Sequence, residues 1–172
     1  MPAAALDNAT AYLLASGELT LTRLAQPDDL DQVNALHARC TLATRFSRYQ
    51  AARRDLRPAE WRGLTDPVRG TTWITAIADE PEQAIAVTHL MRTDRDGVRE
   101  LGLLIEDSRQ RQRLGTQLTG HAIAHAAAIG CHTVAVMTGA DNRAMLAIAR
   151  NRGAVLPPPT SSTVDLDIPV TG

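Results

Sequence analysis

Lysine is missing altogether: all 18 basic side chains of this 172-residue chain are arginine. Cysteine is scarce. Cys40 and Cys131 are the two present; they lie far apart and form no CxxC pair, which leaves free thiols as the reading. No apolar run approaches the roughly 18–20 residues that cross a bilayer. The first stretch, MPAAALDNATAYLLASGE, lacks the basic n-region and long apolar h-region of a secretory leader. A cytoplasmic protein with no membrane partner is therefore expected. An excess of positive charge is also lacking, and a net charge of −1 gives no global field that would draw nucleic acid. What is there is the 44% hydrophobic and 22% charged composition of a soluble globular protein, at a length that suits one domain with a real core.

The chain shows no repeats, and its one biased segment is LPPPTSS at 156–162. Residues 5–16 are expected to form a short helix within an N-terminal extension, 1–17, ahead of a single domain, 18–172. ELTLTRL (18–24) alternates as a strand does. PDDLDQVNALHARC then reads as a helix, with Pro27, Asp28 and Asp29 suited to its first turn. Residues 41–66 read as mixed helix and loop. Three strands follow at 71–78, 83–92 and 98–105, the last two joined as a hairpin through DRDG at 94–97. A helix over 114–129 stops at Gly130, a strand covers 131–138, a helix over 141–153 stops at Gly153, and 162–170 is a final strand. The sum is an α+β sheet with long helices after two particular strands.

The stretch DSRQRQRLGTQL (107–118) poses a physical problem. A helix start is the positive end of the backbone dipole, where each cation costs roughly 0.3–1 kcal/mol, yet Arg109, Arg111 and Arg113 crowd it. A pyrophosphate held on the free amides of the helix start resolves this. Arginine adds charge-assisted bonds to the phosphates, and Gly115 lets backbone approach. A solvated arginine loop is the bland alternative.

The order of elements favours the phosphate. The strand ELGLLIED, then Gln110-x-x-x-x-Gly115, a long helix, a strand and DNRAMLAIARNRGA together resemble the Gcn5-related N-acetyltransferase (GNAT) superfamily over about residues 18–170. That family's loop reads Gln/Arg-x-x-Gly-x-Gly/Ala; Gln110 and Gly115 match, while Arg113 replaces the first glycine. Its later motif, Asn-x-x-Ala-x-x-Leu-Tyr-x-x-x-Gly-Phe, falls on Asn142, Met145, Ile148, Ala149, Gly153 and Ala154, so tyrosine is replaced by Ala149. A further likeness, to the bacterial protein lysine acetyltransferase branch, rests on Arg39, Thr41, Thr44, Arg45, Phe46, Arg48 and Tyr49.

The resemblance implies a mixed, mostly antiparallel sheet flanked by helices, with two central parallel strands splayed apart. It implies that acetyl-CoA lies between the strand ending near Ile105 and the one starting at Cys131. Leu104 and Ile105 would bond the pantetheine arm, and the amides of Gln110, Arg111, Gln112, Arg113, Leu114, Gly115 and Thr116 the pyrophosphate. Asn142 is the further candidate at this site, and no metal is expected. The implied activity is acetyl transfer to a primary amine, a protein lysine or a small molecule, with no nucleic acid involved and a homodimer admitted.

An amine attacks only when unprotonated, and neutralising a lysine-like ammonium at pH 7 costs about 4.6 kcal/mol. A placed carboxylate relieves much of that. Glu100 is the candidate general base, since that branch carries its catalytic glutamate near this strand position. The alternative is a surface glutamate paired with Arg99 or Arg92. Glu106 fits better as a cap or ion-pair partner. A backbone N–H near Leu104 or Ile105 would hold the oxyanion. Ala149 cannot donate a proton to the departing thiol; Tyr49 or a water could serve instead. That loss, with Arg113, motivates the alternative of a weak or inactive acetyl-CoA-binding regulatory domain.

Other residues read more plainly. His121 and His125 have i, i+4 spacing but no third ligand, and suit a helix face. Cys40, Cys131, Trp61 and Trp73 read as packing residues. Arg45, Arg48, Arg53, Arg54 and Arg57 read as a solvated helix face balanced by Asp55 and Glu60.

Overall fold

The computed structural model describes residues 8–49, 51, 53–158 and 161–171. Its elements are β1 (Thr10–Leu13), β2 (Leu19–Leu24), α1 (Leu30–Arg39), α2 (Leu42–Tyr49), α3 (Pro58–Leu64), β3 (Gly70–Ile77), β4 (Glu80–Arg92), β5 (Val98–Ile105), α4 (Leu114–Ala128), β6 (Thr133–Gly139), α5 (Arg143–Asn151) and β7 (Thr163–Pro169). The strands form one sheet in sequence order, β1 to β7. Every neighbouring pair is antiparallel except β5 and β6. That parallel step needs a crossover, and α4 supplies it.

The helix expected over residues 5–16 is not found where the chain is described. Thr10–Leu13 are instead β1, paired with β2 from Thr10↔Thr22 to Leu13↔Leu19; residues 5–7 lie outside the described residues. Tertiary partners decide this segment. Leu14 is buried against Ile77 and Leu114, and the Tyr12 hydroxyl meets His121 Nδ1 at 2.8 Å. Elsewhere the alternation and punctuation in the sequence predict the elements to within a few residues. Gly97, Gly130 and Gly153 take positive φ at the three turns expected to need it.

The two faces of the sheet are covered by different helices. On one, Val33 and Leu36 of α1 and Trp61 of α3 pack with Ile74, Val87 and Leu104. On the other, α4 lays down Leu114, Leu118, Ala122 and Ala126, a stripe at intervals of four. Strand alternation therefore sorts β5: Leu101, Leu103 and Ile105 face α4, while Glu100, Gly102 and Leu104 face α1 and α2.

That second face holds polar groups. His37 is fully buried, and its Nε2 lies 2.7 Å from the Tyr49 hydroxyl. Burial first, then the guanidinium groups of Arg45, Arg53 and Arg48, against a smaller pull from Asp55, lower its pKa to about 4. His89 is likewise buried beside Thr72 and is held neutral by burial, Arg48 and His37.

The start of α4 is strained. Arg113, its N-cap, has φ 69°, and Arg111 has φ 58°. Left-handed backbone at a non-glycine residue costs about 1–3 kcal/mol, so Arg113 carries the steric cost that the family's glycine avoids. Arg113→Gly is predicted to raise unfolding stability by about 1 kcal/mol in urea titrations; a loss would contradict the strain.

The buried imidazoles predict a pH dependence. A pKa lowered from 6.5 to about 4 at His37 contributes stability that is complete above pH 6.5 and is lost as pH falls toward 4. The thermal midpoint should fall between pH 7 and pH 5, and fall less steeply in His37→Phe; equal slopes in the two proteins would contradict this.

Candidate active site

Parallel pairing between β5 and β6 covers only Val98↔Thr133, Arg99↔Val134 and Glu100↔Ala135. Beyond Glu100 the strands part. β5 stays bonded to β4 as far as Ala86↔Ile105, and β6 to β7 as far as Gly139↔Thr163. Each therefore keeps one satisfied edge and turns the other into the gap. The gap is a cleft of about 420 Å³, bounded by Leu101–Ile105 of β5, Val136–Thr138 of β6, residues of α2 and α5, and the start of α4.

Eight of the nominated residues line this cleft: Leu104, Ile105, Gln110, Arg111, Arg113, Gly115, Thr116 and Asn142. Arg111 and Arg113 are exposed at its mouth, with no ion-pair partner among the described residues. The amides of Leu114, Gly115 and Thr116 have no partner within the helix, as the first turn of any helix dictates. Free donors, two guanidinium groups and a cleft of this size suit an extended ligand that carries a pyrophosphate.

Two nominated side chains lie elsewhere. Leu114 is buried in the core beneath α4. Gln112 turns its side-chain amide back to the Ser108 carbonyl at 3.4 Å, and its backbone carbonyl accepts from Ala15 N–H. Only their backbone amides remain available to a ligand. Arg109 also leaves the helix start: its Nη1 binds both carboxylate oxygens of Glu18 at 2.7 Å. The expected crowd of three cations is thus two.

Asn142 is first a helix cap. Its Oδ1 accepts from Met145 N–H at 3.2 Å and its Nδ2 donates to Thr138 Oγ1 at 2.9 Å. From α5 the cleft receives Ala144, Met145, Ala147, Ile148 and Asn151, while Ala149 is fully buried in the core. No acidic proton donor faces the cleft from this helix among the described residues. Tyr49 is not part of the cleft lining, and its hydroxyl is engaged by His37.

Glu100 sits in the last β5–β6 pair before the strands part, opposite Ala135 and Met91. It is exposed, lies beside the cleft and not in its lining, and forms no ion pair with Arg92 or Arg99. Glu106 accepts from Arg39 Nε at 3.0 Å and from Ser108 at 2.9 Å, the ion-pair role expected for it.

Asp107 escaped the sequence reading. Its carboxylate accepts from Thr41 N–H at 2.9 Å, Thr41 Oγ1 at 2.9 Å and Thr44 Oγ1 at 2.7 Å. Burial pushes its pKa up, but these hydrogen bonds outweigh that and hold it below its ordinary value. Gln110 Nε2 reaches both Thr44 Oγ1 and the Ile105 carbonyl. The start of α2 is thereby clamped to the loop before α4. The Thr41-x-x-Thr44 spacing was the available signal, and its partner Asp107 lies 63 residues beyond Thr44.

The arginine group divides. Arg53 and Arg57 pair with Glu60 at 2.9 and 3.3 Å, and Arg54 is exposed. Arg45 and Arg48, expected in solvent, instead have Nε atoms closed off from it without a hydrogen-bond partner, and Arg48 lies against Gly102 of β5. His121 and His125 flank Trp73 edge-on, each with its centroid at 5.0 Å, and bond Tyr12 and Thr71.

The acetyltransferase (GNAT) domain family model matches residues 18–155. No curated protein matches the chain by sequence. Among solved structures, the GNAT domain of S. lividans PAT is similar at TM-score 0.81 and 18% identity, over 98% of this chain and 99% of that one. The ribosomal-protein-S18-alanine N-acetyltransferase of Escherichia coli is similar at TM-score 0.67 and 15% identity, over 89% and 95% of the two chains. The spermidine N-acetyltransferase of Vibrio cholerae, in complex with CoA and spermine, is similar at TM-score 0.67 and 11% identity, over 88% and 95%. The parted parallel strands, the arginine-flanked helix start and the family match over most of the length converge: this chain belongs to the GNAT family of N-acetyltransferases.

Proposed function

We propose that the chain transfers the acetyl group of acetyl-CoA to a primary amine, protein lysine among the acceptors, with Glu100 as general base. The observation that carries the reading is the end of β5–β6 pairing at Glu100↔Ala135, which opens a cleft leading to the start of α4. Free backbone groups near Leu104 and Ile105 suit the pantetheine amides. The amides from Arg111 to Thr116, with the Arg111 and Arg113 side chains, suit the pyrophosphate, whereas Gln110 N–H is taken by the Asp107 carbonyl at 3.3 Å. Acetyl-CoA supplies an activated thioester when bound; the chain's own residues orient it, exclude water and relieve the amine of its proton.

Glu100 stands on the α1/α2 face, so the acceptor enters from that side. The exposed carboxylate takes the ammonium proton directly or through a water, and a backbone N–H of β5 meets the charge that develops on the carbonyl oxygen. The thiol leaves with a solvent proton, since α5 offers no acid and a pKa near 8.5 makes it a ready leaving group. The neighbours act, by their names, on a ribosomal protein's alanine and on spermidine; an amine is the chemistry these share. The second reading, an acetyl-CoA-binding regulatory domain of little turnover, is favoured by one observation, the burial of Ala149 where the family motif has tyrosine.

Acetyl-CoA should bind with micromolar affinity by calorimetry, and Arg111→Ala should weaken it about 5- to 20-fold, in keeping with one charge-assisted contact at an exposed site. No binding at millimolar ligand would overturn the cofactor assignment. Glu100→Gln should lower kcat by about 10²–10⁴-fold while acetyl-CoA affinity holds; an unchanged kcat would remove Glu100 from the reaction. Because the chain has no lysine, every acetyl-lysine in such an assay comes from the acceptor.

A further inference from the structure

Arg48 is in an unusual position for a cation. It reaches from α2 across β5 and rests on Gly102, where an added Cβ would collide with its guanidinium. Gly102 needs no positive φ and sits mid-strand, where glycine weakens a sheet; what its missing side chain provides is room for Arg48. The guanidinium lies over the Tyr49 ring, 4.9 Å from its centroid, and lines the cleft. Its Nε is shut off from solvent without a hydrogen bond, and it has no ion-pair partner among the described residues.

No carboxylate is bonded to it among the described residues. Across the sheet, Gly102 pairs with His89 and His89 with Thr72. His89 Nε2 and His37 Nδ1 are buried and unpartnered, and both imidazoles are neutral. A half-buried guanidinium with its Nε shut in against a tyrosine ring and neutral imidazoles is costly unless an anion completes it. The carboxylate whose field reaches it is that of Glu100, two residues along the same face of β5. Two strand residues span about 6.7 Å, so Glu100 and the Gly102 position on which the guanidinium rests stand one small molecule apart along the strand.

We propose that Arg48 binds a carboxylate of the acceptor, so that the amine acetylated by this chain carries a carboxylate within about 7 Å, the span of two strand residues. This rests on the reading of Glu100 as the base. Two sources share that chemistry, a free amino acid and an acidic residue beside a lysine in a peptide.

The test uses the full chain with acetyl-CoA and a ladder of ω-amino acids from glycine to 6-aminohexanoate, each against the alkylamine that lacks its carboxyl group. Lysine peptides with Asp or Asn beside the lysine form a parallel arm. Wild type should favour one carboxylate-bearing member by 30-fold or more in kcat/KM, and the arm in which this occurs identifies the source. Arg48→Met should cut that preference to below 3-fold, and Arg48→Lys should restore part of it. Gly102→Ala, which displaces the guanidinium and keeps its charge, should act in the same direction if Arg48→Met fails to fold. Equal turnover of acids and amines by wild type, or equal losses on both in the variants, would overturn the proposal and assign Arg48 to the thioester. Thermal shifts with the same ligands in the presence of CoA separate the two readings. Carboxylate-selective shifts without acetyl transfer would sink the transferase reading and keep the subsite. Shifts with no selectivity would sink the subsite.

Discussion

Backbone hydrogen bonding in the middle of the sheet is the constraint on which the site depends. Inner strands normally satisfy both edges, yet β5 and β6 bond each other over three residue pairs and then separate. Each is held on its far side by a long antiparallel partner, so the gap neither collapses nor unravels the sheet. The unpaired edge of β5 is left as a row of directional donors and acceptors. An extended ligand with amide groups can complete that row, as a missing strand would.

The rest of the molecule steadies that opening. α4 leaves the end of β5 and lays a stripe of leucine and alanine on one face, which fixes where its amide-rich start points. The strained turn at Arg111 and Arg113 brings two charges to the same mouth. On the other face, α2 forms the wall opposite α5. It is held there by Asp107, whose carboxylate gathers the Thr41 and Thr44 hydroxyls at the loop. The loop before α4 and the α2 wall of the cleft are thus one hydrogen-bonded unit.

The sequence made the architecture legible where local pattern governs. Alternation marked β2, the DRDG turn set β4 apart from β5, glycine marked the turns at 97, 130 and 153, and the order of strand, loop and helix located the cleft. It failed where distant partners decide. β1 is a strand because β2 and α4 capture Tyr12 and Leu14, which no local propensity in residues 5–16 records. Arg109 is drawn off by Glu18, 91 residues away. Arg48 and Arg53 look alike in sequence, but one faces the sheet and the other Glu60. The residues at the cleft were legible as a set, whereas Leu114 and Gln112 belonged to it through their amides alone.

Hydrogen exchange with and without acetyl-CoA tests the central claim most directly. Binding should protect the amides of Leu103–Ile105 and of Leu114–Thr116, with little change in α3 or β1. Absence of protection on β5 and at the start of α4, or protection confined to other elements, would contradict the account.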